Sequence, residues 1–230
     1  EYLKSYTLIK LCKKTNIKSD SKESLNLAKT LFKKEFDKLS KSRSFTAWWK
    51  DQLINPYAAK TWSLIDLIKI ANSQKLICNS TSPIFYNTNF FKWYKDANLK
   101  DFKYINQNKL YTEAWKRNFL NFFIGSKFKT KKKIDNKTLR KLKYFIKRMN
   151  LCFENKGLDK SLLIPKELKQ LLKNNGLNDY YKEIDILLKL LNSKSQNSKQ
   201  IINFYKKSKK IKITWGNLLH YVVFKKNIVL

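Results

Sequence analysis

Apolar residues recur along most of this chain at the three-to-four-residue spacing of one helix face. Asp20 followed by Glu23 resembles a capping box, and Leu25, Ala28, Phe32, Phe36 and Leu39 then follow at helical intervals. A second helix is predicted from about Ala58 to Gln74, with Trp62, Ile65, Leu67, Ile68 and Ala71 apolar. Tyr111, Ala114, Trp115, Phe119 and Phe122 mark a third, stopped near Gly125. Asp135 can cap the next, which carries Leu139, Leu142, Phe145, Ile146 and Met149 on one side. Pro165 and Gly176 bracket a helix over Lys166 to Asn175, and Ile184, Leu187, Leu188 and Leu191 mark another. Between them, Ser80 to Asn98 is aromatic and Asn-rich with Pro83, and reads as irregular or short-helical. Ser193 to Lys199 is the most linker-like stretch.

The period changes only near the end. Ile211, Ile213 and Trp215 alternate with Lys212 and Thr214, Gly216-Asn217 offers a two-residue turn, and Leu218 to Phe224 is rich in β-branched and aromatic residues. Pairing across that turn places Tyr221 opposite Lys212 and His220 opposite Ile213. The expected fold class is mainly α, a helical bundle-like body with a C-terminal basic β-hairpin. The expected division is an N-terminal helical extension over 1–106 and a helical RNA-binding region with the hairpin over 107–230. No internal repeat is evident.

Charge changes the picture more than any motif. Fifty Lys and Arg face 17 Asp and Glu in 230 residues, a net charge of +33. A folded body of that charge repels itself unless a polyanion neutralises it. Apolar residues at 43% are enough for a core, and no apolar run is long enough to cross a membrane. The stretch Tyr6 to Cys12 is broken by Lys10 and lacks a cleavage-like site, so it does not read as a signal peptide. Only four cations are Arg (Arg43, Arg117, Arg140, Arg148), and Lys, Asn, Ile, Leu, Phe and Tyr dominate, a bias towards A/T-rich codons found in many organellar or A/T-rich microbial genomes.

Catalytic chemistry finds little purchase. Cys12, Cys78 and Cys152 are odd in number and widely spaced, which suits buried thiols rather than a disulfide framework or a metal site. The single histidine, His220, has no carboxylate after Asp185 to orient it. The carboxylates form no metal-like cluster, and four glycines leave no phosphate loop. The expectation is a non-enzyme with no cofactor and no metal. The tryptophans Trp48, Trp49, Trp62, Trp93 and Trp115 sit in apolar helical patterns and are expected in the core.

Cations and scattered aromatics remain. Lys127, Lys129, Lys131, Lys132 and Lys133 crowd one loop, extended by Lys137, Arg140 and Lys141. Lys206, Lys207, Lys209, Lys210 and Lys212 form a second cluster entering the hairpin, which adds Tyr221, Lys225 and Lys226. Such clusters neutralise phosphates and release counterions, positioning a protein on nucleic acid without reading sequence.

The stretch Tyr111 to Lys131, with its Phe119-Leu-Asn121 helix and basic loop, followed by the helix to Met149, resembles the first conserved region of small-subunit ribosomal protein seven. Lys210 to Val223 is similar to that family's basic β-ribbon, with Asn217 in place of the second turn Gly and Phe224 in place of a Pro. The likeness covers about 60 residues, with roughly 50 extra residues between the two pieces. It implies an rRNA-binding constituent of a small ribosomal subunit, and the A/T-coded composition points to an organelle, the mitochondrial matrix first and another organelle second. The resemblance also implies neighbouring ribosomal proteins as partners, with a separate chain carrying the family's later helices if the gene is split. Two alternatives use the same charge: an RNA-processing or intron-splicing factor, and a peripheral subunit on anionic lipid.

Overall fold

A computed structural model describes residues 2–38, 44–55, 63–82, 84–87, 90–92, 108–124, 131–150, 162–193, 197–214 and 221–226. The chain is mainly α. It divides into two compact units that interleave in sequence, one from 1–60 and 136–215, the other from 61–135 and 216–230. Each unit takes a piece from both sides of the expected boundary at residue 106.

The first unit is built around helix α1 (Tyr2–Lys14), which packs against neighbours on several sides. Tyr6, Leu8, Leu11 and Cys12 are buried, and so are Lys4, Ser5 and Thr7. Those polar residues break the amphipathic pattern, which is why periodicity alone does not reveal the helix. Each finds a partner: Ser5 Oγ donates to the Leu53 carbonyl, Thr7 Oγ1 to the Leu3 carbonyl at 2.7 Å, and Lys4 Nζ to the Thr214 carbonyl. Burial without those acceptors would cost several kcal/mol, roughly 2–7 per polar group.

Two segments then tighten an aromatic core. The first runs as α2 (Lys22–Ala28), the π-helical segment π1 (Lys29–Lys33) and α3 (Lys34–Phe36); the second as α4 (Phe45–Trp48) and π2 (Trp49–Ile54). Ser21 and Ser44 cap them by accepting from Ser24 N and Ala47 N, so the first cap is Ser21 rather than Asp20. Phe36 meets Phe45 edge-on at 5.1 Å and Trp48 at 5.1 Å, and Phe32 reaches Trp48 at 6.2 Å. Tyr205 of α10 (Ser198–Lys207) completes the cluster, edge-on to Phe32 at 5.3 Å. Such pairs contribute about 0.5–1.5 kcal/mol each beyond area burial. Trp48, Trp49 and Trp115 are all in the core as expected; Trp62, Trp93 and Trp215 lie outside the described residues.

Helices α7 (Asn136–Asn150), α8 (Lys166–Asn174) and α9 (Asn178–Asn192) pack in succession, with α1 against α7 and α9. After α8, Gly176 adopts φ +74°, while Gly176 N donates to the Lys173 carbonyl and Leu177 N to that of Leu172, at 2.9 Å each. This is a Schellman cap, and the left-handed position favours glycine.

In the second unit, α5 (Leu64–Ser73) starts at a capping box formed by Ser63 and Asp66. Strand β1 (Leu76–Ser82) follows, then β2 (Ile84–Asn87) paired antiparallel with β3 (Phe90–Lys92). Over 80–82, 84–87 and 90–92 strands stand where an irregular or short-helical stretch was expected, and 93–98 lie outside the described residues. Helix α6 (Asn108–Ile124) lies beside β1 and β2. Its first residue, Asn108, accepts from Cys78 N at 2.6 Å and donates to the Leu76 carbonyl at 3.0 Å. One side-chain amide therefore satisfies two backbone groups on β1, as a neighbouring strand would.

The C-terminal strand β4 (Tyr221–Lys226) pairs antiparallel with β1, Ser82 opposite Tyr221 and Leu76 opposite Lys226, with a register shift between Cys78 and Ser80. The two-stranded antiparallel pairing near the C-terminus is present, but its first strand comes from 76–82 rather than 211–215. Residues 211–213 form a turn, with Thr214 N donating to the Ile211 carbonyl at 3.3 Å. Ile211 is 3% exposed and Ile213 49%, so the two do not share a face as alternation predicted. The turn Gly216-Asn217 and His220 lie outside the described residues.

The Tyr205 hydroxyl is buried in the aromatic cluster with no hydrogen-bond partner among the described residues. Burial, with Glu35 adding a smaller like-charge effect, pushes its pKa well above the ordinary phenol value, so it stays protonated. Replacing Tyr205 with Phe removes an unmet donor and should leave stability unchanged or raise it by about 1 kcal/mol in urea unfolding. A clear loss of stability would show that the hydroxyl is bonded.

Candidate nucleic-acid interface

Helix α7 divides its residues by charge. Thr138, Leu139, Leu142, Phe145 and Met149 are buried, while Lys137, Arg140, Lys141, Tyr144 and Lys147 are exposed. The exposed set follows i, i+3, i+4, i+7 and i+10, so it forms one stripe along the helix. No carboxylate occurs between Asn136 and Asn150. The stripe rises roughly 15 Å from Lys137 to Lys147 at 1.5 Å per residue. Lys137, Arg140 and Lys141 were expected here. Tyr144 and Lys147 were missed, although continuing the same three-and-four spacing past Lys141 reaches both.

A second cationic surface belongs to the same unit. Lys206 and Lys207 close α10, exposed, and Lys209, Lys210 and Lys212 follow in the turn. A single acid organises that turn: the Glu183 carboxylate of α9 accepts from Lys209 N, Lys210 N and Ile211 N, each at 2.9 Å. Three consecutive amides aimed at one anion make a backbone nest, filled here by the protein's own side chain. Lys210 Nζ lies 5.7 Å from the Tyr180 ring centre, and Lys212 Nζ reaches the Lys206 carbonyl at 3.4 Å. The side chains of Lys206, Lys207 and Lys209 point to solvent.

The second unit contributes the end of the basic loop. Lys131, Lys132 and Lys133 are exposed; Lys127 and Lys129 lie outside the described residues. Lys133 is committed in part, because its Nζ donates to Glu113 Oε2, while Lys116 Nζ binds Glu113 Oε1 at 3.1 Å. Ile134 is buried and its N–H donates to the Lys116 carbonyl at 3.1 Å, so the segment docks onto α6. On β4, Lys225 and Lys226 are exposed, facing Ile77 and Leu76 in the register. The expected Lys212–Tyr221 pair is not formed, since Tyr221 is registered with Ser82. The mixed basic and aromatic ribbon face therefore does not exist as drawn from alternation.

Cys12 and Cys78 are buried and free; burial raises both thiols, Cys78 to about 12, so neither is a thiolate near neutrality. Among the described residues no three His, Cys, Asp or Glu side chains are grouped to hold a metal ion. No helix of the described residues is long and apolar enough to cross a membrane. Comparison with family models, with curated proteins and with solved structures finds no match to this chain.

Two outcomes follow from the carboxylates. Hydrogen bonds from Lys133 and Lys116 hold the Glu113 carboxyl below its ordinary value. A depressed folded-state value means the ion pair stabilises above the ordinary carboxylate range and is lost as pH falls through the folded value. An NMR titration should place the Glu113 midpoint below 4.5; a midpoint at or above it would show that Lys133 is not held. Replacing Glu183 with Gln leaves three amides sharing one carbonyl oxygen, which should speed hydrogen exchange at 209–211 and cost about 1–3 kcal/mol. Unchanged exchange would mean the turn holds itself.

Proposed function

We propose that this chain is a structural, rRNA-binding constituent of an organellar ribosome, with the mitochondrial matrix as its compartment and other ribosomal proteins as neighbours. The observation that carries the reading is the α7 stripe: four exposed cations around an exposed aromatic ring, on a helix whose opposite face is core and which bears no acid. Lys acts on phosphate as a point charge, and Arg can bind it in a bidentate fork. Lys206, Lys207 and Lys209 add a second phosphate-facing surface to the same unit.

Assignment to the small subunit rests on the resemblance of the α6, basic-loop and α7 region to ribosomal protein seven. The ribbon half of that resemblance no longer supports it, because 211–213 is a turn. The organellar compartment rests on composition, with 46 of the 50 cations being Lys.

Binding should therefore be electrostatic in its salt response and particle-bound in the cell. Replacing Lys137, Lys141 and Lys147 together with Gln should flatten the slope of log affinity against log salt by about two units. The native protein should sediment with a ribosomal subunit and stay there through moderate salt. A protein that sediments alone, or whose RNA affinity ignores salt, contradicts the reading. Cleavage or modification of RNA by the purified chain would place it among processing enzymes instead.

A further inference from the structure

The stripe on α7 has a centre. Tyr144 is 63% exposed, more than any other large apolar or aromatic side chain among the described residues. Its four nearest positions along the helix surface, at i−4, i−3, i+3 and i+4, are Arg140, Lys141, Lys147 and Arg148. Most of this ring's surface is left in water among cations, where it adds little to the hydrophobic core.

Two independent features point to what the ring is for. The first is coverage. Other tyrosines of this unit have an ammonium over the ring: Lys10 at 5.8 Å from Tyr6, Lys169 at 4.5 Å and Lys173 at 5.9 Å from Tyr181, and Lys210 at 5.7 Å from Tyr180. Among the described residues no cation or second ring lies over Tyr144, although its neighbours are as basic, so its face is open. The second is the choice of cation. Only four of 50 cations are Arg, yet two of those four flank Tyr144 one turn before and one turn after. A guanidinium differs from an ammonium in being planar, able to stack on a ring or base, and able to fork onto a phosphate.

We infer that α7 binds an unpaired stretch of RNA, a single strand or a bulge, with one base stacked on Tyr144 and the phosphates beside it held by Arg140, Lys141 and Lys147. This rests on the RNA-binding reading above and adds the class of RNA. A regular duplex buries its base faces in its own stack and offers only phosphates and groove edges, so it has nothing to give the ring. An unpaired base brings a π-face of whatever identity, which makes the contact tolerant of sequence.

The test uses the full chain with two probes of equal length, an oligouridylate and a fully paired RNA duplex, at several salt concentrations. The wild-type protein should prefer the single strand. Tyr144→Ala should weaken oligouridylate binding about tenfold while leaving duplex binding and both salt slopes unchanged, because stacking releases no counterions. Tyr144→Phe keeps the ring and should stay within about twofold of wild type. Because Tyr144 is exposed, both variants should retain the wild-type circular dichroism and unfolding midpoint. If Tyr144→Ala binds the single strand as wild type does, or loses both probes equally, the inference falls while RNA binding stands. If the wild-type chain binds neither probe, the RNA-binding reading falls with it.

Discussion

Charge imbalance is the constraint on which the rest of this structure turns. With 50 cations and 17 acids, several carboxylates among the described residues hold the chain to itself. Asp66 closes a capping box, and Glu23, hydrogen-bonded to Ser21, sits at the start of α2. Asp37 pairs with Lys33 at 2.6 Å, Glu35 with Lys38 and Asp185 with Lys189 at 2.8 Å each. Each of these pairs has a Lys partner open to water, and such pairs contribute little, about 0–1 kcal/mol each. Glu113 and Glu183 do more, one anchoring the end of the basic loop through Lys133 and the other gathering three amides of the basic turn. What remains among the described residues is an excess of exposed cations, which a polyanion would neutralise.

Cohesion has to come from elsewhere, and it comes from aromatic packing and from polar side chains that stand in for missing backbone partners. Phe32, Phe36, Phe45, Trp48 and Tyr205 join three segments separated in sequence. Asn108 completes the hydrogen bonding of β1, and Ser5 meets a carbonyl at the end of π2. None of these uses charge. The fold is therefore compatible with a surface that repels itself in dilute salt and is quieted by phosphate.

The helices were legible where one apolar face alternates with solvent. α7, α8 and α9 fall where Leu139 to Met149, Pro165 to Gly176 and Ile184 to Leu191 predicted them. α1 was not legible, because a helix enclosed by neighbours need not alternate, and its buried Lys4 and Ser5 read as surface. The β-structure was misread for a different reason. Local alternation at 211–215 proposed a hairpin, whereas β4 pairs with a strand some 140 residues earlier, and no local pattern announces a partner at that distance. The cation clusters were legible as charge but not as surfaces. Arg140 and Lys141 stood out by charge, while Tyr144, a single aromatic among cations outside the apolar set of that helix, did not.

The central claim is that RNA lies along α7. Ultraviolet cross-linking of the native particle, with mass spectrometry of the RNA-bound peptides, tests it without any variant. The account predicts nucleotide adducts on the peptides spanning Lys137 to Lys147, with further adducts around Lys206 to Lys209. A particle whose adducts fall elsewhere on this chain and spare α7, or one in which the chain carries no nucleotide at all, would contradict it.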